Sequence, residues 1–319
     1  MTHLLFFFTI CCAPTILQVY QKEKLMKYAL LIMITIIPYL HAQESPQAPL
    51  HQEWNAYKFH RATKKSLPLA RALLKKIPLE KFNSALDVGC GPGALTAFIA
   101  RNMPKGQVVG IDPSGKMIRF ARDRYDKHKN LFFMQEDMSN TSLSEKIDLI
   151  SCCNAIQYLS REEQIKALKA MAQISDQNKP TTLFMIIAGK TQNPEAFARA
   201  YAATITTERW KKLQSINLDD YFQPHNEQSF LLLAQNTGFR VNKTEMVDEH
   251  IIFKNVKKLK KFIKSWMGGF GFINKLSSDE RTMLIKDIMS NYIKEVQPAA
   301  DGSIEWRSAR LVVFAERAK

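Results

Sequence analysis

The sequence predicts an α/β fold built on a doubly wound parallel sheet, and three observations predict it. Short apolar runs recur through the first half of the chain, at Ala85–Val88, Gln107–Ile111, Leu131–Met134 and Ile147–Ser151, each of buried-strand length. Helical patterns, Leu95, Phe98 and Ile99 and then Gly115–Arg124, fall between them. Each run also closes on a glycine turn or a polar residue, which suits a ligand lying across the carboxyl ends of a parallel sheet.

The first run is the most informative. Ala85-Leu86-Asp87-Val88-Gly89-Cys90-Gly91-Pro92-Gly93-Ala94 reads as a strand, a tight turn and a helix start. Glycine suits such a turn because it reaches positive φ and lets a ligand touch bare backbone. Asp87 places a carboxylate at the mouth of the strand, and the ligand expected here is small and nucleotide-like. Gly89-x-Gly91-x-x-Ala94 also satisfies the dinucleotide fingerprint, so the turn alone leaves the ligand class open.

The later strand tips narrow the choice. The second strand ends at Asp112, whose two carboxylate oxygens can accept both hydroxyls of a ribose. Both NAD and S-adenosylmethionine carry that ribose; the competing role for Asp112 is to cap the helix Gly115–Arg124. The third strand runs into Gln135-Glu136-Asp137-Met138, where an acid can accept an adenine amino group and Met138 can cover the ring. The fourth leads into Cys152-Cys153-Asn154-Ala155-Ile156-Gln157-Tyr158.

In this order and spacing the chain resembles the class I S-adenosylmethionine-dependent methyltransferases, over roughly residues 55–190. Asp87–Gly93 looks like the first motif of that family, and Gly110-Ile111-Asp112-Pro113-Ser114 through Met117 and Ala121 like its second. Glu136-Asp137-Met138 and Asp148 through Tyr158 look like the third and fourth. The resemblance implies S-adenosylmethionine as cofactor, with Asp87, Gly89, Cys90, Gly91 and Gly93 around its methionine and ribose portion. It implies Asp112 and Pro113 at the ribose, Met117, Asp137 and Met138 at the adenine, and Asn154 near the methionine end through its backbone. Asn154-Ala155-Ile156-Gln157-Tyr158 is similar to small-acid enzymes of the trans-aconitate methyltransferase type, and Trp54 and Tyr57 resemble the N-terminal lid of that group. The family plan is a Rossmann-like sheet of seven strands, mostly parallel, with an antiparallel C-terminal hairpin.

At 319 residues and 46% hydrophobic the chain can bury a full core, and its net charge of +15 suits an anionic substrate, nucleic acid or an acidic membrane surface. Lys254, Lys257, Lys258, Lys260, Lys261 and Lys264 alternate with Val256, Leu259, Phe262 and Ile263 as one basic amphipathic helix, with no RNA-binding module signature beside it. The five cysteines, Cys11, Cys12, Cys90, Cys152 and Cys153, form neither a disulfide framework nor a zinc spacing, and the seven histidines are scattered, so no metal is expected.

Residues 1–42 are read as a hydrophobic N-terminal segment, signal-like from Met26 to Ala42, with 1–25 lying upstream of the natural start. Residues 43–52 read as a linker and 53–319 as the catalytic domain, with helical lid elements within 194–296. Export or tethering conflicts with a cofactor made in the cytosol, and the localisation expected from the cofactor is cytoplasmic. The first domain helix is expected over Ala62–Lys76, with further helices at Glu162–Ile174, Pro194–Leu213, Ser229–Thr237, Lys257–Met267 and Ser278–Val296. Strands are expected at Thr182–Ala188, Phe239–Val247 with His250–Phe253, and Ser303–Ala315, while Gly268-Gly269-Phe270-Gly271-Phe272 reads as a mobile aromatic turn in the lid.

The expected activity is methyl transfer to a small molecule, a carboxylate among the acceptors, in a monomer without metal. Gln157, Tyr158, Tyr57, Trp54 and Trp266 are the candidate substrate-facing residues, and none of them is assigned as a catalyst. Competing readings are methylation of RNA or protein through the basic surface, a NAD-dependent oxidoreductase, and a cofactor-binding module without catalysis.

Overall fold

The apolar runs form the middle of a seven-stranded sheet in a computed structural model that describes residues 55–318 except 142, 145, 177–178 and 191–195. The signal-like segment, the linker and Trp54 lie outside the described residues. Strand order is β3-β2-β1-β4-β5-β7-β6. β1 (Ser84–Val88), β2 (Gln107–Asp112), β3 (Leu131–Gln135), β4 (Leu149–Cys153) and β5 (Thr182–Ala188) run parallel to one another. β7 (Ile304–Arg317) is antiparallel to both β5 and β6 (Phe239–Phe253). The order reverses between β1 and β4, and in a doubly wound sheet the crevice for a ligand opens there.

Helices cover both faces, which is why the central strands are apolar without alternation. One face packs α2 (Leu67–Leu74), α3 (Ala94–Asn102) and α4 (Gly115–Tyr125) through Leu74, Ile99, Met103 and Ile118. The other packs α5 (Arg161–Ile174) and α7 (Glu227–Ala234) through Leu168, Met171, Phe230 and Leu233. Ser160 and Glu163 close a capping box at the start of α5, as Asn226 and Ser229 do for α7.

Three elements depart from the sequence reading. The single helix expected over Ala62–Lys76 is two, α1 (Ala56–Thr63) and α2, because Pro68 lies in the first turn of α2, where its missing N–H costs nothing. Asn55 caps α1 by accepting from Lys58 N at 2.9 Å. The helix expected over Pro194–Leu213 is α6 (Ala196–Ile205) followed by a tighter 3-10 stretch, Glu208–Leu213. Thr204 and Thr207 hydroxyls bond to Ala200 O and Thr204 O at that junction, and such local bonds compete with helix propagation. Third, the two arms expected at 239–253 are one continuous strand with a register shift between Val241 and Lys243.

That continuous strand carries the lid. β5 pairs with Arg310–Glu316 of β7, while residues 304–309 pair with 248–253 of β6 as a two-stranded ribbon running past the end of β5. On the ribbon sits a separate core built from α6, α8 (Val256–Trp266), α9 (Ser278–Glu295) and the turns between them. Its centre is aromatic: Trp306 lies 5.7 Å from Trp266, 5.7 Å from Phe262 and 5.9 Å from Phe197. Trp210 is buried too, its indole N–H donating to Asp287 Oδ2 at 2.9 Å. Phe270 and Phe272 are 1% and 2% exposed, so the glycine-aromatic segment is a packed part of this core rather than a mobile turn. Between α8 and α9 the chain makes two short 3-10 turns, Met267–Gly269 and Gly271–Lys275, that bury both phenylalanines. Replacing Phe270 with Ala should therefore cost about 3–5 kcal/mol, read as a lowered denaturant midpoint together with rapid proteolysis between residues 256 and 296; a mobile turn would leave both unchanged.

Candidate active site

Backbone geometry comes first at the crevice. Gly89, Gly91 and Gly93 hold φ of 68°, 53° and 78°, the left-handed region that other residues avoid. A Cβ added to Gly89 would stand 2.2 Å from Ala155 Cβ, so the turn after β1 and the loop after β4 touch where the strand order reverses. Asn154, just before Ala155, also has positive φ, 56°, and its N–H donates to Ile186 O at 2.7 Å. Asparagine is among the few non-glycine residues that take this conformation readily.

The first acid does not face the ligand. Asp87 is 2% exposed, and its carboxylate accepts from Ser151 Oγ at 2.6 Å and from Thr96 Oγ1 at 2.7 Å. It ties β1 to β4 and to α3 from inside, and burial raises its pKa to about 6. The cavity wall includes neither Asp87 nor Gly93. Gly93 instead starts α3, where a Cβ would meet Phe133 at 2.6 Å.

Asp112 does face the cavity. One oxygen accepts from Gly91 N and the other from Ser114 N, both at 2.9 Å. Helix α4 is capped by Ser114, whose side chain accepts from Met117 N, so capping is not the role of Asp112. Its carboxylate binds two loops together at the tip of β2. Asp137 likewise lines the cavity and accepts from Ser139 N at 2.9 Å and Ser139 Oγ at 2.8 Å. Cys90, Pro113, Met117, Met138 and Asn154 join them, so most of the residues implied at the first three strand tips share one wall.

The cavity is about 290 Å³ and continues under the lid, where Gln157, Tyr158 and Trp266 meet. Tyr158 packs edge-on against Phe222 with centroids 5.4 Å apart, and its hydroxyl bonds to Trp266. Tyr57 is not there: it is 58% exposed, with the Arg61 guanidinium 5.7 Å over its ring. Phe59, Ala62 and Thr63 of the same helix line the cavity instead, because α1 turns its other face inward.

Arg310 is the lining residue that sequence reading missed. It sits on β7 with its Nε and Nη2 donating to Glu249 Oε2 at 2.9 and 2.8 Å, both side chains largely buried. A signal was present, since Arg310 interrupts the otherwise apolar run from Ala309 to Ala315. Gln157 Oε1 and Asn154 Oδ1 are buried acceptors with no donor among the described residues. Burial pushes the thiols of Cys90 and Cys153 upward and that of Cys152 to about 12, and it raises Tyr158 as well. Among the described residues no histidine lines the cavity, so its acceptor end offers no side chain suited to removing a proton at neutral pH.

The tight contact of the two loops gives a direct test. Gly89→Ala should destabilise the protein by about 2–4 kcal/mol through backbone strain and overpacking. Adding Ala155→Gly should recover the overpacking part, seen as a higher denaturant midpoint in the double variant than in Gly89→Ala; no recovery would mean the loops do not meet as described.

A family model described as a methyltransferase domain matches residues 85–178. The chain is 23% identical to the trans-aconitate 2-methyltransferase of Rhodopseudomonas palustris, over 82% of this chain and 98% of that one. It is 31% identical to the enzyme of the same name from Azoarcus sp., over 33% of this chain and 41% of that one. A solved structure of a candidate methyltransferase from Bacillus halodurans shares the fold, with TM-score 0.53 and 14% identity over 78% of this chain and 99% of that one. With the strand order, the glycine turn and the acids at the strand tips, these findings support a class I S-adenosylmethionine-dependent methyltransferase.

Proposed function

We propose that this methyltransferase acts on a small acid with an apolar body, transferring the methyl group to its carboxylate. The observation that carries the reading is Arg310, a largely buried guanidinium on the wall of the pocket that Gln157, Tyr158, Phe262 and Trp266 also line. Glu249 occupies Nε and Nη2, and among the described residues Nη1 has no acceptor. A carboxylate oxygen from the substrate satisfies that donor, leaving the second oxygen to attack. The trans-aconitate enzyme among the relatives supports an acidic acceptor.

The residues suit the cofactor as well. Asp112 and Asp137 present acceptors to the ribose hydroxyls and the adenine amine, while Pro113, Met117 and Met138 pack about the nucleoside. Gly89, Cys90 and Gly91 let backbone approach it closely. The buried, donor-less oxygens of Asn154 and Gln157 match an ammonium, which the methionine end of the cofactor carries. When bound, the cofactor supplies a methyl carbon already electrophilic on a sulfonium. The protein has then to align and desolvate the acceptor, not to activate it.

A carboxylate is ionised at neutral pH, so the lack of a base at the acceptor end is no obstacle. Phe262, Trp266 and Tyr158 exclude water there, and Arg310, Gln157 and Tyr158 orient the acceptor. Glu249 offsets the charge of Arg310 and fixes its plane, so that one nitrogen faces the pocket.

The test is a screen of carboxylic acids with the purified chain, reading methyl esters by mass spectrometry, followed by Arg310 variants on the best acceptor. Arg310→Lys, which keeps the charge but loses the fork, should raise KM roughly tenfold to a hundredfold and leave cofactor affinity unchanged. The Arg310→Gln, Glu249→Gln pair avoids a stranded charge and should do the same. An unchanged KM in both, or methylation of alcohols or amines and of no acid, would overturn the assignment.

A further inference from the structure

The basic charge of this chain is concentrated in two stretches. Residues 55–79 hold seven Lys or Arg and no Asp or Glu, and residues 251–278 hold seven more, again without an acid. Those fourteen account for nearly all of the net +15; over the remainder of the chain, acids and bases almost cancel. Composition alone does not produce such a separation.

The fold brings the two stretches together. Helices α1 and α8 pack on each other, and each gives one face to the cavity, through Phe59, Ala62 and Thr63 and through Phe262 and Trp266. Lys65 reaches from the end of α1 to the ribbon, donating to Ile252 O with its ammonium 5.0 Å from the centre of the Phe253 ring. Outward from this wall stand Lys58, Arg61, Lys64, Lys257, Lys258 and Lys261, all exposed. No ion pair among the described residues involves them; nearby acids are taken elsewhere, Glu280 by Lys212 and Glu305 by His250 and Arg307. Two large apolar side chains stand out beside these cations, Ile252 at 62% and Tyr57 at 58% exposed.

We propose that this outer wall docks on an anionic lipid bilayer, with the lysines and arginines at the headgroups and Ile252 and Tyr57 at the boundary of the acyl region. A membrane surface attracts clustered cations whose charge is not neutralised within the protein, and exposed apolar tips add to the attachment. Single-stranded nucleic acid fits less well, because it favours several exposed aromatic rings for base stacking and, among the described residues, Tyr57 is the one large aromatic exposed on this wall. The proposal is independent of which acceptor is methylated.

The experiment is co-sedimentation of the full chain with phosphatidylcholine vesicles with or without 30% phosphatidylglycerol, at low salt and at high salt. The quantity read is the gain in affinity due to the anionic lipid, compared between the unaltered chain and the triple variant, so that the N-terminal segment is common to both. The expected gain is large, falls with salt, and drops about a hundredfold in Lys257→Gln, Lys258→Gln, Lys261→Gln, while S-adenosylmethionine affinity and the circular dichroism spectrum stay unchanged. Equal binding to both vesicles, or a gain that survives the triple substitution, would overturn the proposal. So would a short single-stranded RNA that binds more tightly than the anionic vesicles at the same salt.

Discussion

Everything at the crevice depends on keeping the turn after β1 free of side chains and pressed against the loop after β4. Gly89 meets Ala155 with no room for another carbon. Two carboxylates hold that arrangement from opposite sides. Asp87 works from within, binding Thr96 and Ser151, and Asp112 from the cavity side, binding Gly91 N and Ser114 N. The two acids do different work although both stand at or near strand tips. Asp87 is desolvated and its carboxyl pushed up to about 6, a cost offset by two short hydrogen bonds, whereas Asp112 faces the cavity wall.

The second constraint is the long β6–β7 ribbon. By running past β5 it carries a separate aromatic core over the crevice, and it brings Arg310 and Glu249 to the pocket from the lid side. Methyl transfer needs a dry, shaped site more than it needs proton transfer, and the lid supplies that through Phe262 and Trp266. The packing that shields the pocket also positions the charged pair.

Much of this was legible in the sequence, and the reason is local. The strand lengths, the glycine turn, Asp112, Asp137 and Asn154 follow from short-range patterns whose chemistry sits within a few residues. The antiparallel end of the sheet came from the family resemblance, and β7 is antiparallel to both its neighbours. What failed depends on long-range contacts. Asp87 reads as a ligand because nothing nearby announces Ser151, 64 residues on. Tyr57 reads as pocket-facing because the phase of α1 is set by packing against α8 and α4. Arg310 went unnoticed because its partner Glu249 lies on another strand, and Phe270 looked mobile because glycines flank a residue that the lid core buries.

The account stands or falls on the cofactor wall, and calorimetric titration of the purified chain with S-adenosylmethionine and with NAD tests it most directly. Micromolar binding of S-adenosylmethionine alone is expected, weakened roughly tenfold to a hundredfold by Asp112→Ala, since hydrogen bonds to a charged group are lost. Binding of NAD in its place, or S-adenosylmethionine affinity unchanged in Asp112→Ala, would contradict it.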